Sequence, residues 1–229
     1  MLLNVFGDDV DVFPFYFGPL HGPVAYTMHL KPYKTFRGHV IGQIGTLLAA
    51  AGVLAFYALH GDPAAFWEGT LQAIADALTG GQPGPEWNQA VSRLAPRLTG
   101  LWATNLLAVA VLCLLLGRWW QAVLYNQGGF RSEFHGLRFA PWFGALGLLA
   151  ALAAGFAPAG LIADLGVVIA AAFLLQALAV AHALAAARNW HGGWLVGFYL
   201  ILPLLLRPIA LLGLADTFVD FRARFAPTA

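Results

Sequence analysis

Asp164 and Arg207 are the residues most out of place in this chain, because each interrupts a long run of Leu, Ala, Val and Ile. An ionisable group in such surroundings costs several kcal/mol unless it is paired or hydrated. Two kinds of chemistry follow. The pair is either an ion bridge that holds two helices together or the lining of a polar cavity that takes an anionic ligand. Gln176 and Asn105 are neutral intrusions of the same kind and read as hydrogen bonds between helices. His182 reads as a packing residue that hydrogen-bonds a neighbouring helix. Its distance from His191, with no carboxylate between them, is not the spacing of a two-ligand helical metal site. Asp164, Gln176, His182 and Arg207 are therefore the candidate substrate-binding residues, and no metal or cofactor is expected. The sequence has no phosphate loop, no His-Glu-x-x-His and no Gly-x-Ser-x-Gly, so no catalytic residue is assigned and no enzyme is expected.

The elements that must position these residues follow from composition. Apolar residues make up 60% of the chain and charged ones 10%, far from the balance of a soluble domain. Backbone groups in a bilayer must pair internally, which leaves a helix bundle or a closed barrel. Apolar runs near twenty residues without period-two alternation choose the bundle. The expected fold is all-α, a polytopic transmembrane bundle of about five spans plus one amphipathic interfacial helix. A net charge of +1, with basic residues scattered in ones and twos, does not suit nucleic-acid binding. Cys113 is the single cysteine and excludes an internal disulfide. The N-terminus lacks the basic start and apolar core of a signal peptide.

Taken in order, residues 1–36 form an irregular N-terminal arm, because Pro14, Pro19 and Pro23 exclude a regular spanning helix there. Two readings of it stay open: an interfacial arm, or the remnant of a displaced start or disrupted gene. The membrane bundle occupies 37–225, with spans expected at 40–59, 98–125, 142–157, 161–187 and 194–215. Between the first two, Asp62 is a suitable N-cap and Pro63 a suitable first helical residue. The helix they begin, over 62–79, sets Trp67, Leu71, Ile74 and Leu78 on one face and Glu68, Gln72 and Asp76 on another. It is too polar to span and is expected to lie on the membrane surface or cap the bundle. In the third span Gly147, Ala151 and Gly155 have the small-residue spacing of a close helix contact.

Arg118, Trp119, Trp120 and Tyr125 form an expected membrane-anchor motif, since Trp and Tyr favour the headgroup layer and arginine its cytoplasmic edge. Gly128 and Gly129 then end the helix. Counting Lys and Arg puts the N-terminus and Lys31, Lys34, Arg37, Arg118, Arg131, Arg138 and Arg188 inside. Five spans would leave Arg222 and Arg224 outside with Arg93 and Arg97, against the rule.

Three stretches carry a family resemblance: Gly117–Phe134, Gln176–Arg188 with Gly193-Trp194-Leu195-Val196, and Leu211–Arg222. Over roughly 36–225 the chain resembles the proteobacterial branch of the YybS-like predicted membrane proteins, a family with no assigned activity. That family is distantly similar to the substrate-binding components of energy-coupling-factor transporters and to the cell-shape scaffold MreD. The resemblance implies a multi-pass protein of the bacterial inner membrane, in contact with membrane lipid. Its expected role is the membrane substrate-binding component of a small-molecule uptake system, served by an energising ATPase module. The alternative is a non-transporting scaffold that binds cell-envelope proteins.

Overall fold

The computed structural model describes residues 38–125, 127–157 and 159–225. The arm expected over 1–36 lies outside them. Among the described residues the regular structure is helical throughout, with no strand, as the apolar composition requires.

The first helix, α1 (Gly38–His60), is followed by α2 (Pro63–Thr79). Asp62 caps α2 by accepting from the Ala65 N–H at 3.2 Å, and Gly80 ends it in the left-handed conformation at φ 65°. Ala75 and Pro63 turn inward, Trp67 and Leu71 are half-buried, and Ile74 and Leu78 remain exposed. Glycines 80, 81 and 84 break the chain, and Pro85 opens α3 (Pro85–Tyr125), a helix of 41 residues. It starts well before the apolar run at Leu98, since Pro85 needs no N–H at a helix start and the residues that follow lie against α2, and it continues through an internal proline, Pro96. The first turns of α3 and all of α2 thus make an antiparallel hairpin, tied by the Trp67 indole donating to Thr99 Oγ1 at 2.9 Å.

After α3 come the short α4 (Gly129–His135), α5 (Pro141–Phe156) and α6 (Leu161–Ala187). Then follow α7 (Gly193–Ile201), a 3-10 turn at Leu202–Leu204, α8 (Leu206–Val219) and α9 (Phe221–Phe225). The central helix is α6, against which α1, α3, α5 and α8 all pack. Directions follow from the contacts. Tyr57 and Val53 of α1 meet Asp164 and Val168, so α1 runs antiparallel to α6. Gly100 and Leu107 of α3 meet Asp164 and Val168, so α3 runs parallel to it. Two parallel neighbours in sequence need a return crossing, and α5 supplies it, with Ala154 beside Gly166 and Gly147 beside Phe173.

Three helices are long and apolar enough to span a bilayer by length and composition: Ile41–His60, Pro85–Leu124 and Leu161–Ala187. Two of the five expected spans differ in form from these three. The α5 helix has 16 residues, about 24 Å at 1.5 Å per residue against a core of about 30 Å. The fifth apolar run does not cross as one helix, because α7 and α8 meet at a bend of 112°. Pro203 removes an N–H and blocks the carbonyl four residues earlier, so the helix stops. Pro208 falls in the first turn of α8, where no N–H is needed.

Past the bend, α8 runs parallel to α6. Gly213 backs onto the Phe173 carbonyl and the Ala177 nitrogen with no room for a Cβ, and Arg188 Nε reaches the Phe225 carbonyl at 3.2 Å. The chain therefore leaves the bundle at the end where it entered: α7 and α8 form a re-entrant hairpin. This overturns the placement of Arg222 and Arg224 opposite Arg138 and Arg188. All of them gather at one end, with Arg118 and Arg131, while Arg93 and Arg97 lie towards the other. Between Arg97 and Arg118 of α3 lie about 31 Å at 1.5 Å per residue, the thickness of a hydrocarbon core.

The small-residue stripe of α5 is also displaced. Ala151 and Gly155 are exposed, and the contact face is Phe143, Gly147, Ala150 and Ala154. Steps of four drift about 40° per step around a helix, whereas alternating fours and threes stay on one face.

Candidate functional site

Two polar centres lie within the bundle, one towards each end. At the basic end Gln176 and Asp216 have 0% exposure and Thr217 is buried with them. The Gln176 Oε1 accepts from the Phe139 N–H at 2.8 Å, and its Nε2 donates to Asp216 Oδ2 at 2.9 Å and Thr217 Oγ1 at 3.2 Å. Asp216 Oδ1 accepts from the Phe221 N–H at 3.0 Å. Arg222 Nη2 donates both to Asp216 Oδ2 at 3.0 Å and to the Leu137 carbonyl at 2.7 Å. Arg138 completes the arrangement from the α4–α5 connection, donating to Asp220 Oδ2 at 2.6 Å and the Thr217 carbonyl at 3.0 Å.

The local sequence explains how so many partners meet. Asp220 takes a positive φ of 53°, so its N–H closes α8 on the Asp216 carbonyl while its Oδ1 accepts from Ala223 and starts α9. That reversal carries Arg222 back over Asp216. Burial pulls the Arg222 guanidinium below its ordinary pKa, Asp216 and Asp220 oppose the shift, and an arginine keeps its charge regardless. The centre is a clasp: one amide and one carboxylate join α6, α8, α9 and the segment before α5.

At the other end Asp164, also buried, accepts from the Tyr57 hydroxyl at 2.8 Å. Its backbone and side chain press directly on Gly100, where any side chain would collide. The ion pair with Arg207 does not form. Asp164 faces α1 and α3, whereas α8 packs on Phe173, nine residues later and, at about 100° per residue, half a turn around α6. Arg207 lies exposed in the first turn of α8 with no carboxylate in reach among the described residues.

His182 binds the carbonyl of Leu178, four residues earlier on its own helix, at 2.9 Å, not a neighbouring helix as expected. A carbonyl only accepts, so Nδ1 carries the proton. The ring lies between Phe134 and Tyr199, with centroids 5.5 and 5.8 Å away. Nearby His135 has its pKa lowered by burial first, then by Arg131, His182 and Arg222.

The expected anchor motif divides. Trp119 and Trp120 are exposed at the rim, but Arg118 turns inward. Its Nε donates to Glu133 Oε2 at 2.7 Å, its Nη2 to Glu133 Oε1, and its Nη1 to Gln121 at 3.0 Å, pinning α4 to α3. Asn105 is exposed on α3.

The four candidate residues are thus not brought together. Gln176 belongs to the clasp, Asp164 to a separate contact, His182 to an aromatic sandwich, and Arg207 to the outside. Tyr57, Asp216, Thr217 and Arg138 are the partners that sequence reasoning did not single out. Asp216 carries a signal, an aspartate that closes the apolar run Leu-Leu-Gly-Leu-Ala just past the last expected span. The chain matches no protein-family profile, no curated protein and no solved structure.

Proposed function

We propose that this chain is a non-catalytic scaffold subunit of the bacterial inner membrane, which holds cell-envelope proteins and moves no solute itself. The observation that carries this reading is how the buried amide, carboxylates and hydroxyls of the two polar centres are used. Gln176, Asp216 and Thr217 bond to one another and to neighbouring segments, and Asp164 bonds to Tyr57. Buried polar groups spent in this way hold helices in fixed relation, which is what a docking platform requires. The resemblance to the YybS-like proteins, and through them to a cell-shape scaffold, points the same way. On this reading the basic end faces the cytoplasm, which the gathering of Arg118, Arg131, Arg138, Arg188, Arg222 and Arg224 supports.

One observation favours the uptake reading. Arg207 is exposed near the tip of a re-entrant hairpin, and broken helices with a charged tip suit solute binding at mid-membrane depth. On that reading an ATPase module supplies the energy. Native mass spectrometry of the protein extracted in mild detergent separates the two. Co-purifying envelope proteins without bound solute support the scaffold. A bound small molecule lost on Arg207→Gln, or a co-purifying ATPase, supports uptake and overturns it.

A further inference from the structure

Arg188 and Arg224 both lie at the basic end, each bonded to a backbone carbonyl that borders α9. Arg188 ends α6 and donates through Nε to the Phe225 carbonyl at 3.2 Å. Arg224, the residue before Phe225, donates through Nε to the Val219 carbonyl at 3.0 Å. Both side chains are exposed, and neither meets a carboxylate among the described residues. Glu133, Asp216 and Asp220, the acids of this end, are already taken by Arg118, Arg222 and Arg138. Each guanidinium is thus fixed by its inner nitrogen, and its outer pair of nitrogens has no partner among the described residues. A fork of that kind matches two oxygens of a phosphate.

What adjoins Arg188 specifies the rest of the ligand. Arg188 lies 5.8 Å from the centre of the Trp190 ring. Trp190, Trp194 and Phe198 continue from there as a ladder, with centroids 4.5 and 5.9 Å apart. Both tryptophans are exposed, as rings at a headgroup boundary are. Beyond them α7 has no buried residue and offers Val196 and Leu200 outward. Cationic forks, an interfacial aromatic step and an apolar flank occur in the order of headgroup, glycerol and acyl chain.

We propose that Arg188 and Arg224 clamp the phosphodiester of an anionic glycerophospholipid whose acyl chains lie along α7. The lipid covers the re-entrant hairpin where the protein itself does not. The proposal is independent of which partner the bundle holds, and its failure would leave the scaffold reading untouched.

The test is native mass spectrometry of the detergent-purified full chain, titrated with phosphatidylglycerol or with phosphatidylcholine of the same acyl chains. The natural protein retains phosphatidylglycerol in preference, on the order of tenfold for two basic residues at a surface. The pair Arg188→Gln and Arg224→Gln loses the preference, with an unchanged thermal unfolding midpoint. The pair Arg188→Lys and Arg224→Lys keeps the charge without the fork and recovers only part. Equal retention of phosphatidylglycerol by the glutamine pair overturns the proposal. So does displacement of phosphatidylglycerol by millimolar inorganic phosphate, which would make the clamp a site for free phosphate.

Discussion

The Gln176 amide donates to the Asp216 carboxylate across 2.9 Å, and through that bond α6 and α8 are held parallel and in register. Replacing Gln176 with Leu keeps the volume and strips both functions. The Phe139 N–H is left without an acceptor, at a cost of about 1–3 kcal/mol for a buried group. Arg222→Gln should cost more, about 3–5 kcal/mol, because it leaves the Asp216 charge buried and alone. Thermal unfolding in detergent, followed by circular dichroism, ranks the two. Equal stability of Gln176→Leu and the natural protein would mean that the clasp holds nothing.

Asp164 and Arg207 should behave as strangers. In a double-mutant cycle of Asp164→Asn and Arg207→Gln, the losses in stability add, within about 0.5 kcal/mol. The same cycle run on Asp164→Ala with Tyr57→Phe should not add, since each single change removes the same hydrogen bond. Coupling in the first cycle, or its absence in the second, contradicts the geometry.

The hairpin makes a topological prediction. Reporters fused after Gly129 and after Phe225 should report the same side, because Arg222 reaches Leu137 and Arg188 reaches Phe225. A reporter active only in the periplasm should be silent at both positions. Opposite signals from the two would require α7 and α8 to cross the bilayer as one span.

His135 gives a pH dependence with a definite sign. Its folded pKa lies below the ordinary value of about 6.5, so below that pH the unfolded chain binds the extra proton. The stability present above that pH is lost as pH falls through the folded pKa. His135→Gln should flatten this part of the profile. An unaltered slope in the variant would assign the loss to other groups.

How much of this was legible in the sequence depended on the range of the signal. Local chemistry was readable: Asp62 and Pro63 open α2 as cap and first residue. Apolar runs near twenty residues gave the all-α bundle, because bilayer thickness is written into their length. Partner choice was not readable. Asp164 and Arg207 are the two charges that stand out in one dimension, but which face of α6 each neighbour occupies is settled by where Gly100 and Gly213 let backbones close in. Pro203 and Pro208 stand within the expected span 194–215, and a kinked span and a reversal share that signature. The angle became known only once α8 was seen lying parallel to α6. Arg118 illustrates a third limit: its tryptophan neighbours mark the rim, but Glu133 fifteen positions later draws the arginine inward.

The reversal at Pro203 changes what the cell must do to make this protein. Were the last apolar run a crossing, the segment carrying Asp216, Asp220, Arg222 and Arg224 would have to be dragged through the bilayer during insertion. Each charge passing the hydrocarbon centre meets a penalty of about 2.5–3.5 kcal/mol on insertion scales. Because the hairpin dips in and comes back, the proposed cytoplasmic placement of the basic end keeps those residues on the side where they were synthesised. Within the hairpin, Arg207 is the charge that must be carried in. The clasp can then close last, after α6 is seated, with no translocation step standing between the finished helices and their lock.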